Sequence, residues 1–547
     1  MMERVILRML LGLALPALFP PDASASANSA AVTQDRGERI YREGVRADGT
    51  AVVASREAGD AISGRAAACV NCHRRSGLGL TEGRIVIPPI TGSYLFHRGE
   101  RPTSEATEAA TGHKMMGSAH YTEETVARAI RGGVGWDGRR LDVLMPRYSL
   151  ADADMSQLLD YLRQLSSGPV PGVSADVLDF ATIITPDSDP TERQGMLDVL
   201  KHFFNDRAQD YFGGRSPVLQ SSRRIHYRVS RRWQLHVWDL TGPRSTWQSQ
   251  LDKHLAAEPV FAVISGLGGH TWEPVHRFCA RQSVPCLLPN VDLPVVADGD
   301  FYNVYFSKGV LLEAALLKGR LAKPGSPAQR VVQVYRAGDL GAAAAGALRR
   351  QLQAAHLEVT DRVLPEHPQP LDLQAALQGV APNTALALWL RSADLQALPK
   401  APPPSAEVFA SGLLGGLENM ALAPAWRDVT RVIYPYDLPT ARAFRLNYPL
   451  RWFKVTHIPV VAERIQVDTY IACQVLSEAI GHVQGDFVRD YLLEQIENML
   501  SNRILNGYYN RLSLGPGQRF ASKGGYFVRF SAAQGKDIVA DGDWTVP

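Results

Sequence analysis

The sequence predicts a chain in two parts, a small helical N-terminal domain followed by a larger α/β half. Three observations point there. The texture of the chain changes near residue 170, strand-like and helical runs alternate beyond that point, and a short cysteine–histidine motif stands in the first part. A length of 547 residues suits three or four folding units rather than one. Hydrophobic residues make up 45% and charged residues 21%, too apolar for a disordered chain. A net charge of only +3 provides no basic stripe, so nucleic-acid binding is not expected.

The N-terminus has its own pattern. Arg4 and Arg8 flank the start of an apolar stretch, Met9–Phe19, and Ala23-Ser24-Ala25 and Ala25-Ser26-Ala27 follow it. Charged start, short apolar core and small-residue exit predict a signal peptide over residues 1–27 and export to a periplasm. The mature chain would begin near Ser26 or Asn28. Elsewhere no run of 18 apolar residues occurs, so no membrane span is expected.

From about Gln34 to Ser166 the chain is rich in Arg, Gly and His, with short helical patterns and no clear strand. Cys69-Val70-Asn71-Cys72-His73 carries explicit chemistry. Two thiols at this spacing can add to the vinyl groups of a haem, and the histidine that follows can bind its iron. Zinc would need a second pair of ligands, and a redox dithiol would need a βαβ setting; the region offers neither. The surrounding residues resemble the class I cytochrome c family over 34–166. Gly37-Glu38-Arg39-Ile40-Tyr41 is similar to its N-terminal helix, in which glycine permits close approach of the last helix. Leu150–Leu165 is similar to that last helix, with Asp152 and Asp154 in the first turn and Leu158, Leu162 and Leu165 as an apolar stripe beside Tyr161. Met145-Pro146-Arg147-Tyr148 resembles the segment carrying the second axial ligand.

The resemblance implies an all-α domain with one covalent haem c. Cys69 and Cys72 would attach it, His73 and Met145 would ligate the iron, and Pro88 or Pro89 would accept a bond from His73. Met115, Met116, His113 and His120, in an Ala/Thr-rich insertion, and Met155, on the last helix, are rivals that lack the following proline. Filling both axial positions implies outer-sphere electron transfer and no enzymatic activity; a peroxidase would need a vacant position. Arg74, Arg75, Arg139 and Arg140 read as solvated arginines, with docking of an acidic redox partner or pairing with haem propionates as the other readings.

Ser166–Gly172 can continue neither helix nor sheet, and a linker is expected over 167–177. Beyond it, strand-like runs (Ala181–Thr185, Leu235–Leu240, Val260–Ser265, Cys286–Leu288, Val331–Tyr335, Ala385–Leu390) alternate with helical ones (Glu192–Phe204, Thr271–Gln282, Leu340–Ala355, Leu371–Gly379). Such alternation predicts a parallel α/β sheet. Thr182–Pro186, Val263–Gly269, Val284–Asn290 and Arg330–Tyr335 resemble segments of type I periplasmic binding proteins, the branched-chain amino-acid-binding group. Over 178–547 the resemblance implies two α/β lobes with a small molecule held between them. Gly268-Gly269-His270 and Asn290-Val291-Asp292 depart from the amino-acid binders. His270, Trp272, Asn290 and Asp292 are the cleft candidates, and Asp292 would repel a ligand carboxylate. Cys279 and Cys286, at a helix end and on the next strand, could meet as a disulfide or stay separate buried thiols. Cys473 reads as a packed core thiol. No Walker-type loop, G-x-S-x-G or H-E-x-x-H occurs.

The function expected is one-electron transfer by a periplasmic cytochrome fused to a domain that binds a small molecule or docks a partner. Tyr121–Leu165 is similar to electron-accepting cytochromes of alcohol-oxidising systems, which suggests a quinoprotein dehydrogenase as redox partner; a terminal oxidase is the other candidate. The alternative is the solute-binding component of an ABC-type uptake or sensing system, with a permease as partner and an accessory haem.

Overall fold

The computed structural model describes residues 36–547 apart from 57–58, 84, 97–120, 212–230, 354, 356, 368, 484–485, 505 and 533–536. The expected signal peptide and the rivals Met115, Met116, His113 and His120 lie outside the described residues. The chain forms two compact units, Met1–Gly168 and Pro169–Pro547.

The first unit is not all-α. Strands β1 (Val53–Ser55), β2 (Ala61–Ser63) and β5 (Arg147–Ser149) form an antiparallel sheet in the order β2-β1-β5. Strands β3 (Leu80–Glu82) and β4 (Ile85–Ile87) pair as a hairpin. Each strand has three residues, below the length at which alternation can be read from sequence. The expected helix pair is present. A helix over 36–43 lies against Asp152–Gln164, whose Met155, Leu158, Leu159, Tyr161 and Leu162 are buried. A Cβ on Gly37 would fall 2.2 Å from the Gln157 carbonyl and 2.7 Å from Tyr161 Cβ, so only glycine allows this approach. Tyr41, one turn on, packs its ring 5.4 Å from that of Tyr161.

In the second unit β6 (Val177–Ile184), β7 (Arg232–Asp239), β8 (Ala262–Ile264), β9 (Cys286–Leu287) and β10 (Asn303–Val304) form a parallel sheet in the order β10-β9-β8-β6-β7. The second sheet runs β12 (Glu358–Leu364), β11 (Arg330–Arg336), β13 (Thr384–Trp389), β14 (Glu407–Ser411), β15 (Thr430–Tyr434), β16 (Tyr526–Phe530) and β17 (Ile538–Ala540). Its first five strands are parallel and its last two antiparallel. β13 and β14 are buried at every position, as expected for parallel strands covered by helices on both faces. Two α/β lobes result.

The predicted linker is shorter than expected. Val170 and Val173 pack on the core of the second unit, and the Gly172 carbonyl accepts from the amide of Asp179 on β6. Arg489 donates to the carbonyls of Pro171, Val260, Phe261, Gln282 and Ser283, which ties this segment into the lobe. Proline and glycine here shape an ordered turn rather than a spacer.

Between the lobes the chain crosses three times, after β10, after β15 and before β16. The crossings lie side by side. The Tyr305 amide donates to Arg519 O at 2.8 Å, Ala521 to Tyr305 O at 3.0 Å, and Asp437 to Tyr508 O at 2.9 Å. Above them runs the helix Glu463–Val483, which packs on the helices Pro190–Tyr211 and Arg489–Leu500. Gln466 fixes its entry: its carbonyl accepts from the amides of Val461 and Ala462, and its amide donates to Pro459 O at 2.8 Å.

One buried carboxyl shapes the second lobe. Glu313, on the helix Val310–Leu321, is inaccessible and accepts from the Leu413 amide at 2.9 Å and from the Ser411 hydroxyl. Burial pushes it up to about 8, against the lowering effect of those bonds. A folded-state pKa above the unfolded one gives stability that is complete below the unfolded value and declines as pH rises towards the folded value. Wild-type stability should therefore fall between about pH 4.5 and 8, by on the order of 1.4 kcal/mol per pH unit from this group. Glu313→Gln should flatten that slope in denaturant unfolding; an unchanged slope would contradict the assignment.

Candidate functional site

The cleft is built where the ends of β8 and β9 meet the helix Glu463–Val483. Ser265, just after β8, is buried and sits at φ +47°, outside the usual region for a residue with a side chain. Its amide donates to Leu287 O at 3.0 Å and its carbonyl accepts from Thr182 Oγ1 at 3.1 Å, which holds the turn. Asn290, after β9, donates from Nδ2 to Ser265 Oγ at 3.0 Å and to Thr469 Oγ1 at 3.2 Å. Two strand ends are thereby pinned to one helix.

Around this anchor a narrow site opens between the lobes, lined by Asn290, Asp292, Ser307, Leu413, Tyr436, Arg464, Asp468 and Tyr509 among others. Its free space is close to that of a single water molecule. Arg464 Nη2 lies 3.4 Å from Asp292 Oδ1, and Nη1 lies 4.0 Å from Asp468 Oδ2 and 3.4 Å from the Tyr436 hydroxyl. Burial disfavours the guanidinium charge, but Asp292, then Tyr436, Asp468 and Glu192, outweigh it and hold Arg464 well above its ordinary value. Asp468 is pushed up to about 7 by burial, with Arg464 and the Tyr509 hydroxyl opposing and Asp292 adding to the rise. Burial likewise raises Glu192, with Arg464 opposing.

At the cleft edge His270 reaches both lobes. Its Nδ1 lies 3.0 Å from Asp187 Oδ2 in the first lobe and its Nε2 3.9 Å from Asp339 Oδ1 in the second. Arg391 binds both oxygens of Asp339, at 2.6 and 2.8 Å. Burial would raise Asp187, but bonds from Thr185 and His270 outweigh it and hold the carboxyl low; Arg391 does the same for Asp339.

The four cleft candidates divide. Asp292 lines the site, and Arg464 offsets the repulsion expected of it. Asn290 lines it too, with its amide nitrogen committed to structure. His270 stands at the edge. Trp272 is corrected: it is 1% exposed in the core of the first lobe, where its indole fills the space left by Gly266 and Gly268. An indole needs that flat, Cβ-free surface, so the glycines serve packing. Sequence reasoning missed Arg464, Asp468, Tyr436 and Tyr509. A readable signal was the Arg464/Asp468 pair, four apart at the start of an otherwise buried helix.

Cys279 and Cys286 are both buried and in side-chain contact, as either a bridge or a pair of packed thiols requires. Cys473 is buried in the core as expected.

In the first unit Cys69 precedes the helical turn Val70–His73, so both cysteines and the histidine share one turn. Cys72 is exposed and Cys69 partly buried. His73 is 7% exposed, and its Nδ1 lies 3.2 Å from Pro88 O. Burial pushes the ring down to about 4 against that bond, which keeps the imidazole neutral. With Nδ1–H donating to the carbonyl, Nε2 carries the lone pair. Met145 and Cys69 pack on the same apolar cluster, whereas Met155 is buried within it. Neutral imidazole, two thiols and a thioether form a donor set that fits a c-type haem.

No family model and no curated protein matches the chain. Among solved structures it is similar to a branched-chain amino acid ABC transporter protein from Thermus thermophilus with bound valine, at 11% identity and TM-score 0.48, over 69% of this chain and 98% of that one. A solute-binding protein from R. palustris in complex with benzoate aligns at 16% identity and TM-score 0.47, over 68% and 97%. A leucine-binding protein from Thermotoga maritima aligns at 12% and 0.44, over 68% and 99%. Likeness at this level carries no argument about what the chain binds.

The anchor can be tested directly. Asn290→Ala should leave the Ser265 and Thr469 hydroxyls without their shared donor and cost about 2 kcal/mol in denaturant unfolding. A loss below about 0.5 kcal/mol would mean that solvent replaces the bonds.

Proposed function

We propose that this chain is an exported solute-binding protein whose two α/β lobes close on a small polar molecule. One observation carries the reading: ionisable and hydroxyl side chains from the loop after β9, the crossings and the helix Glu463–Val483 converge on one narrow, largely buried site that Leu413 of the second lobe closes. Groups so placed cost desolvation unless something fixed requires them. Three adjacent crossings support closure about a hinge. A permease or sensor that recognises the closed form is the partner such a protein would serve. A thermal-shift screen of the full chain against amines, alcohols, amino acids and aromatic acids tests it. A saturable rise in unfolding temperature that weakens in Asp468→Asn supports the reading. No response across the panel would contradict it.

A second reading concerns the first unit, and the His73–Pro88 contact favours it. Cys69 and Cys72 would hold a haem c through thioethers, with His73 and Met145 toward its iron. The group would supply reversible one-electron chemistry. Pro88 orients the His73 ring, and burial keeps the ring neutral and ready to donate its lone pair. The chain would then pass electrons to a redox protein while sensing the solute. Haem stain should survive denaturing electrophoresis in the wild type and vanish in Cys69→Ala/Cys72→Ala. Absence of stain in protein exported by a host with haem-attachment machinery would overturn this reading.

A further inference from the structure

The solute-binding reading leaves open what the cleft selects, and two side chains in it bear on that. Asp468 is 1% exposed and Asn290 is 4% exposed, and both line the site between the lobes. Asp468 Oδ2 accepts from the Tyr509 hydroxyl at 3.3 Å, and Asn290 Nδ2 donates to Ser265 and Thr469. Their other oxygens, Asp468 Oδ1 and Asn290 Oδ1, are buried without a hydrogen-bond partner among the described residues. Buried acceptors are rarely left unsatisfied without reason. What completes this site must donate hydrogen bonds.

Charge narrows the choice. Asp187, Glu192, Asp292, Asp339 and Asp468 stand in or beside the cleft, against Arg391 and Arg464. Arg391 is committed to both oxygens of Asp339, and Arg464 is shared by Asp292 and Asp468. A carboxylate ligand would have to compete for Arg464 among these anions. A cation would meet an excess of negative charge and two waiting acceptors.

We propose that the cleft takes the protonated amino group of a small primary amine, which donates to Asp468 Oδ1 and Asn290 Oδ1. The assignment rests on the solute-binding reading and deepens it. Tyr436, Tyr509 and Leu413 would flank the carbon next to the ammonium group. The free space matches about one water molecule, so the lobes must part to admit the alkyl chain, and an unbranched amine demands the least parting.

The proposal carries a pH signature. Arg464 faces Asp468 from its own helix, Asp292 from the loop after β9, and Tyr436 and Tyr509 from the crossings; Glu192 and Glu313 stand further out. Alkylammonium groups, like lysine, stay charged well above pH 8. Binding therefore requires the ionised Asp468, whose carboxyl burial holds near 7. Amine affinity should rise with pH and level off above that value.

The test compares n-propylamine, 1-propanol and propionate, probes of one size and three charges, by calorimetry on the full chain. At pH 8 propylamine should bind at least tenfold tighter than the others, and roughly 100-fold weaker at pH 5. Asp468→Asn should remove most of its affinity and flatten the pH profile, with little effect on propanol. Should that variant fail to fold, the wild-type pH profile decides. Equal binding of all three probes, tightest binding of propionate, or a flat wild-type profile would overturn the amine assignment. If propylamine is silent while another compound stabilises the chain, solute binding stands and the amine assignment falls.

Discussion

The pair between Arg464 and Asp292 is the interaction on which the second unit turns. It joins a helix of the first lobe to the loop after β9, beside the crossings that lead to the second lobe. Both side chains are about a quarter exposed, so the pair is only partly shielded from solvent and each charge leans on the other for part of its compensation. The surroundings reinforce the guanidinium charge. Tyr436 offers its hydroxyl to the guanidinium, and Asp468 adds a second carboxyl four residues along the helix. Gln466 fixes the first turn of the helix that presents both groups, and Gly195 eases the approach of Pro190–Tyr211, since a Cβ there would stand 3.0 Å from the Gln466 side chain. Packing thus sets the position of the charges, and the charges define the cleft.

The same logic appears in the second lobe with the sign reversed. Glu313 is buried among groups that donate to it, with no ion pair among the described residues, and burial pushes its carboxyl up to about 8. It orders the turn after β14 that brings Leu413 to the cleft. An ion pair positions one wall, and an uncharged acid positions the other. Both avoid the cost of an isolated buried charge.

Much of the architecture was legible because its signals are strong. Alternating apolar runs marked β6, β7, β11 and β13, and Gly37 with Tyr41 marked the helix contact of the first unit. What could not be read shares one feature, dependence on partners distant in the chain. The three-residue strands of the first unit are too short to show a period, and β14–β17 emerge from their pairing. Trp272 was placed in the cleft by its position after a glycine loop, yet those glycines exist to seat its ring. Asp292 was read as repulsive because its partner lies 172 residues away, on a helix whose sequence looks like core. The linker was read too long because Arg489, which gathers five carbonyls around it, comes more than 300 residues later.

The Arg464–Asp292 pair couples the first lobe to the cleft. A double-mutant cycle measures it directly, with Arg464→Met, Asp292→Asn and the double variant compared by denaturant unfolding. Each single change should cost about 1 kcal/mol, and the double variant should cost less than their sum by about 0.5 kcal/mol. Additive losses would contradict the account, because they would mean that the two charges do not depend on each other.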